Sequence, residues 1–197
     1  MIRSAFFLIV ISIFATFVSA QTTQPAERKT YTELPKMQID PAKHYTATID
    51  TSAGKIVAEL FAKEAPKTVN SFIVLSRDGF FNGIIFHRVI PGFMIQGGDP
   101  TGTGMGGPGF KFENENRDTN RKFTTGTFGM ANAGLDTNGS QFFIMDADNG
   151  LPPNGYTIFG QIKEGQDVVH KIAAAARDEN DRPGQPTTIN SISIKEE

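Results

Sequence analysis

The sequence predicts a mainly β fold, a barrel closed on itself and plugged or flanked by two helices. Three observations carry this expectation. Short runs of β-branched and aromatic residues recur along the chain, each cut off by glycine or proline. Two segments, one early and one late, instead place apolar residues at helical spacing. The composition agrees, because 17 Phe and no Trp, with 20 Gly and 11 Pro in 197 residues, describe a turn-rich chain with a phenylalanine core.

Residues 1–20 read as an export signal. Arg3 is the only charged side chain ahead of Glu27, an apolar run extends from Ala5 to Ala15, and Val18-Ser19-Ala20 supplies small residues for cleavage before Gln21. The rival reading is an uncleaved anchor, for which the run is barely long enough to span a bilayer. Residues 21–43 are polar and broken by Pro25, Pro35 and Pro41, as expected of a flexible linker or a loosely draped arm.

The domain proper is expected over 44–197. Tyr45 to Asp50 and Lys55 to Phe61 form a hairpin about the Ser52-Ala53-Gly54 turn. Pro66 suits the first turn of a helix, because its missing N–H is unpaired there anyway, and Val69, Phe72, Ile73 and Ser76 mark one face up to Gly79. Ile84 to Ile90 is a strand halted by Pro91-Gly92, and Phe93 to Gln96 is a second short run. Further strands are expected at Thr127 to Ala131, Gln141 to Met145 and Thr157 to Ile162. Val169, Ile172, Ala173 and Ala176 give the late helix, and Thr188 to Ile194 the closing strand.

Charge and composition exclude whole classes of function. With 19 Lys and Arg against 21 Asp and Glu, no bulk field draws the chain to nucleic acid or to an anionic membrane. The absence of Cys removes disulfides, thiolate metal sites and thiol nucleophiles, and three histidines are too few and scattered for most imidazole-built sites. No metal or cofactor is expected.

Three stretches carry a specific signal: Phe86 to Asp99 (FHRVIPGFMIQGGD), Gly129 to Gly134 (GMANAG) and Asn138 to Ile144 (NGSQFFI). Long and in this order, they resemble the cyclophilin-type peptidyl-prolyl cis/trans isomerases, and the resemblance runs from about Tyr45 to the C-terminus. It implies a closed eight-stranded antiparallel β-barrel capped by two α-helices, acting on Xaa–Pro bonds. It also implies Arg88 as the catalytic donor to the prolyl nitrogen and Gln96 as a hydrogen-bonding group for the substrate carbonyl. Phe93, Met94, Phe143 and Tyr156 would form the proline pocket, Ala131 and Asn132 would meet the peptide backbone, and Gln141 would add a polar contact. Proline-containing polypeptides are the implied partners of a monomeric protein.

The chemistry fits this inventory. Rotation about an Xaa–Pro bond faces a barrier of about 20 kcal/mol from amide resonance, and no bond is cleaved. It therefore needs no nucleophile or proton shuttle, only groups that bind the twisted amide better than either planar form. A noncatalytic proline-binding module is the alternative from another class, and a structural or adhesion domain a third. Occupied catalytic positions argue against both. Phe86, Phe128, Phe142 and Phe159 are assigned to plain core, and His87, one residue from Arg88, to the opposite strand face as a structural histidine.

Other motifs invite readings that fail. The glycine-rich run 97–109 lacks the Gly-Lys-Ser/Thr ending of a phosphate loop, so a groove border is expected instead. Asp146 to Gly150 lacks calcium-loop spacing and is read as a solvated turn. Asn138-Gly139-Ser140 is a formal glycosylation sequon inside a groove motif and is expected to stay unmodified. One departure from the family matters. Many relatives carry a tryptophan where Leu151 falls here, so tight cyclosporin binding is not expected.

Overall fold

The computed structural model describes residues 29–116 and 120–197. The leader expected at 1–20 lies outside the described residues. Eight strands and two helices follow in the order β1 (Tyr45–Thr51), β2 (Gly54–Leu60), α1 (Pro66–Arg77), β3 (Arg88–Ile90), β4 (Met94–Gly97), β5 (Thr127–Met130), β6 (Phe142–Met145), β7 (Ile158–Glu164), α2 (Gln166–Ala173) and β8 (Ile189–Glu196). Every pairing is antiparallel, and the sheet runs β3-β4-β6-β5-β7-β2-β1-β8.

This order corrects one expectation. The sheet is an open half-barrel, because its edge strands β3 and β8 form no ladder with each other. Ile84 to His87, expected as strand, makes only an isolated bridge from Ile85 to Thr188, flanked by Gly83 N–H to Ile189 O (2.8 Å) and Phe86 N–H to Thr187 O (3.0 Å). Proline explains the gap. Pro183 and Pro186, just ahead of the Thr188 bridge, lack the N–H groups a ladder ahead of β8 would need.

The strands follow their sequence pattern. β1 buries Tyr45, Ala47, Ile49 and Thr51 in strict alternation, and β2 buries Ile56, Ala58 and Leu60 opposite them. α1 starts on Pro66, but Ala65 cannot cap it. The Glu115 carboxylate does so from 48 residues away, accepting the Lys67 N–H at 3.0 Å and the Thr68 N–H at 2.8 Å. The four phenylalanines assigned to the core are fully buried there, and the Phe142 ring meets Phe72, Phe81, Phe86 and Phe128 at centroid distances of 5.5–6.3 Å.

The described part of the expected linker, residues 29–43, lies along the domain. Tyr31 packs edge-on against Phe80 and Phe110 while its hydroxyl donates to Asp78 at 2.7 Å. Ile39 is buried, and Asn70 on α1 accepts from the Gln38 N–H and donates to the Pro35 and Lys36 carbonyls.

Candidate functional site

β3, β4 and β6 lie side by side, and their register builds the site. Arg88 pairs with Gln96 across β3 and β4, and Gln96 pairs in turn with Phe143 on β6. The pleat then places side chains from three strands on one face. They border a cavity of about 200 Å³ lined by Arg88, Phe93, Met94, Gln96, Ala131, Asn132, Phe143, Leu151 and Tyr156. These are nine of the ten residues singled out from sequence. Gln141, the tenth, lines a larger groove of about 670 Å³ that shares Gln96, Ala131 and Asn132 with the cavity.

The cavity floor is a second, smaller apolar cluster. Phe143 meets Tyr156 edge-on at 5.5 Å and Phe123 at 5.2 Å, with Met145 and Ile158 buried beneath them. Gly129 makes this packing possible. A Cβ there would lie 2.3 Å from the Phe143 ring and 2.7 Å from Phe123, closer than any side chain tolerates. Leu151 packs against the same cluster at its edge.

Polar groups rim the opening. The Arg88 side chain is 44% exposed, and its Nε donates to Asp181 Oδ2 at 3.3 Å. Gln96 Nε2 donates to Gln141 Oε1 at 2.9 Å, while Gln141 Nε2 donates to the carbonyls of Gly104 and Gly106. Among the described residues, one N–H and the oxygen of Gln96 have no other partner and remain for a ligand. Asn132 Nδ2 donates to Gly155 O at 2.9 Å and its Oδ1 accepts the Gly134 N–H at 3.2 Å, so its side chain is held in place at the rim.

The glycine-rich run borders the groove, as expected, and a buried carboxylate gives it shape. Asp99 accepts from the N–H groups of Thr101, Thr103, Gly104 and Gly106 and from the Thr101 hydroxyl. Burial pushes its pKa up, but these donors outweigh burial and hold the carboxyl below its ordinary range. Asp99 thereby fixes the two carbonyls that orient Gln141.

One expectation needs adjustment around this site. Asp146, read as part of a solvated turn, is buried, accepting the Gly92 N–H at 2.7 Å and meeting His170 Nδ1 at 2.5 Å. It clasps the turn that carries Phe93. Sequence reasoning also missed Phe123 and Asp181. Phe123 is one phenylalanine among 17, and Asp181 lies 93 residues from Arg88, so no local spacing announces either. The sequon asparagine Asn138 is fully buried and donates to Asn114 Oδ1 at 2.9 Å, which leaves no access for a glycan.

Known proteins match this arrangement. Residues 46–194 match the family described as cyclophilin type peptidyl-prolyl cis-trans isomerase/CLD. Peptidyl-prolyl cis-trans isomerase A of Mycobacterium tuberculosis is 44% identical over 171 residues, covering 78% of this chain and 94% of that protein. The peptidylprolyl isomerase domain and WD repeat-containing protein 1 of Homo sapiens is 47% identical over 154 residues, 76% of this chain, and the match spans 24% of that longer relative. A crystal structure of a Cryptosporidium parvum cyclophilin type peptidyl-prolyl cis-trans isomerase superposes with a TM-score of 0.72 at 34% identity, covering 77% of this chain and 98% of that one. The chain belongs to the cyclophilin-type peptidyl-prolyl cis-trans isomerase family.

His87 lies one residue ahead of β3, does not line the cavity and is 6% exposed. Among the described residues neither ring nitrogen has a hydrogen-bond partner. Burial depresses its pKa below the ordinary histidine value, Asp99 opposes the shift, and Arg182 and Arg88 add to it. A histidine with a depressed folded pKa contributes full stability above its unfolded pKa of about 6.5 and less as pH falls below it. Unfolding measured between pH 8 and 5 is therefore expected to show stability declining on the acid side, by at most about 1.4 kcal/mol per pH unit from this group. His87→Leu should flatten that slope, and an unchanged slope would mean another group sets it.

Proposed function

We propose that this chain accelerates cis/trans rotation about Xaa–Pro bonds in flexible polypeptide segments, and that it does so as a monomer. The observation that carries the reading is a proline-sized apolar slot with a guanidinium at its mouth and amide groups along one wall. A crystal structure of the Cryptosporidium parvum relative obtained in the presence of the dipeptide Ala-Pro, at 36% identity and a TM-score of 0.71, supports proline-containing peptides as the ligand class.

The mechanism follows from what the bond requires. Phe93, Met94, Phe143 and Tyr156 hold the proline ring by apolar contact. Gln96 and the main chain at Ala131 and Asn132 hold the acyl side, so the two halves of the bond are gripped separately. As the bond twists, conjugation is lost and the prolyl nitrogen becomes pyramidal and basic. Arg88 donates a hydrogen bond to that nitrogen, an interaction absent from either planar form. A noncatalytic proline-binding module would need the slot but not the guanidinium, so Arg88 separates the two readings.

A protease-coupled proline-isomer assay tests it. Arg88→Ala should fold normally and lose on the order of 10²–10³ in rate, the usual effect of removing one transition-state donor. Arg88→Lys should also be poor, because an ammonium lacks the planar fork. A folded Arg88→Ala protein of near-full activity would sink the catalytic assignment and favour the binding module.

Leu151 bears on inhibition. It lines the slot where many relatives have an indole, and it supplies apolar area but no side-chain donor. Its own N–H is taken by Asn149 Oδ1 at 3.1 Å, and Pro152 and Pro153 have none to offer. Losing a hydrogen bond and part of a packed ring is worth about 2–4 kcal/mol, roughly thirty- to a thousand-fold in affinity. The enzyme should be active yet poorly inhibited by cyclosporin, with Leu151→Trp partly restoring inhibition. Potent inhibition of the wild type in paired titrations would remove this argument.

The leader argues for work outside the cytoplasm, in a periplasm or after secretion, on other exported chains. Mass spectrometry of protein recovered from the exported fraction should find Gln21 first. Recovery with Met1 retained and in membranes would support the anchor instead.

A further inference from the structure

We propose that Asp181 is a positioning residue for Arg88, holding the guanidinium at the mouth of the slot. The inference rests on the reading above, in which Arg88 is the donor to the prolyl nitrogen. An exposed arginine on a three-residue edge strand has little packing to choose its rotamer. Its Nε hydrogen bond to Asp181 makes that choice. The bond uses Nε alone and leaves the two terminal nitrogens for a substrate amide.

The turn that carries the carboxylate is itself held in place. The Asp181 carbonyl accepts the Val89 N–H at 2.9 Å, tying its main chain to the residue beside Arg88. Asp178 organises the turn, accepting at Oδ1 from the N–H groups of Asn180 and Arg182, both at 2.9 Å. Arg182 Nη1 reaches the Gly102 carbonyl at 2.6 Å, which ties the turn to the glycine-rich loop. Asp181 has φ +62°, a left-handed conformation that aspartate tolerates better than most residues. Its other oxygen, Oδ1, accepts from Arg177 Nε at 3.3 Å. Two guanidiniums thus share one carboxylate, so Arg88 is oriented while the group as a whole keeps a positive charge.

The test uses substitutions that keep the turn. Asn and Gly both accept the left-handed φ, so Asp181→Asn removes the charge and Asp181→Gly removes the whole side chain. Each is measured for kcat, KM and thermal midpoint, in the wild-type background and with Arg88→Ala. Expected is a fall in kcat of about two- to fivefold, the size a partly exposed ion pair allows, with KM and thermal midpoint unchanged. With Arg88→Ala already present, neither change should lower the residual rate further. Unchanged kcat in both variants, a loss expressed in KM, or the same fractional loss with Arg88→Ala would each overturn the proposal. If Arg88→Ala alone were fully active, the reading beneath it would fail instead, and that result is seen before any Asp181 variant is compared.

Discussion

β6 runs through the sheet with two phenylalanines side by side, and the pleat sends them to opposite faces. Phe142 enters the main core among Phe72, Phe81, Phe86 and Phe128, while Phe143 becomes the floor of the slot. The core and the site therefore hang on one register. A slip of one residue would exchange the two rings and lose both at once. Gly129, paired directly with Phe143 across β5 and β6, enforces the arrangement, because any side chain there would meet the ring. The same sheet that buries enough apolar surface to fold the chain thus shapes a rigid, apolar cleft on its other side.

Around that cleft the polar groups divide between scaffold and chemistry. Asp99 is fully buried and its hydrogen bonds stay within the glycine-rich loop, so it acts on the loop rather than on a substrate. The loop carbonyls orient Gln141, and Gln141 orients Gln96. Each step removes freedom from a group that must be in place before the bond twists. Arg88 is treated differently. It stays at the surface, where its charge is hydrated until a peptide covers it, so the fold bears no cost of burying an ion. Asp146 completes the frame by clasping the turn that presents Phe93.

What the sequence disclosed follows from the range of each interaction. β1 and β2 were legible because alternation is a local property. The slot was legible because seven of its nine lining residues fall within three unbroken motifs, with Leu151 and Tyr156 a little beyond the third, and nine of the ten singled out border one cavity. Contacts between distant segments were not. Glu115 caps α1 and Asp178 and Asp181 organise the approach to β3, yet a lone carboxylate in a polar stretch carries no period and no spacing. Tyr31 likewise looked like one residue of a linker, and only the groove beside Phe80 and Phe110 gives it a place. Closure of the sheet failed as an expectation for a related reason. The strand count fixes how many ladders can form, but the prolines ahead of β8 decide that the last one does not.

The open seam and the hold on Arg88 have one origin. Had β3 continued upstream and paired fully with β8, the Val89 N–H would have belonged to a ladder and no segment could have reached it. Because the ladder stops, that N–H is left without a strand carbonyl and donates instead to the carbonyl of Asp181. An edge strand normally carries such a donor as a liability for pairing with other chains. Here the turn ahead of β8 covers it, and covering it brings the Asp181 carboxylate to the adjacent guanidinium. The prolines that break the barrel therefore create the space in which a turn, rather than a strand, can meet β3. A turn can present a side chain at a chosen angle, whereas a paired strand must follow the pleat. The departure from a closed barrel is what lets the far end of the chain reach the mouth of the slot.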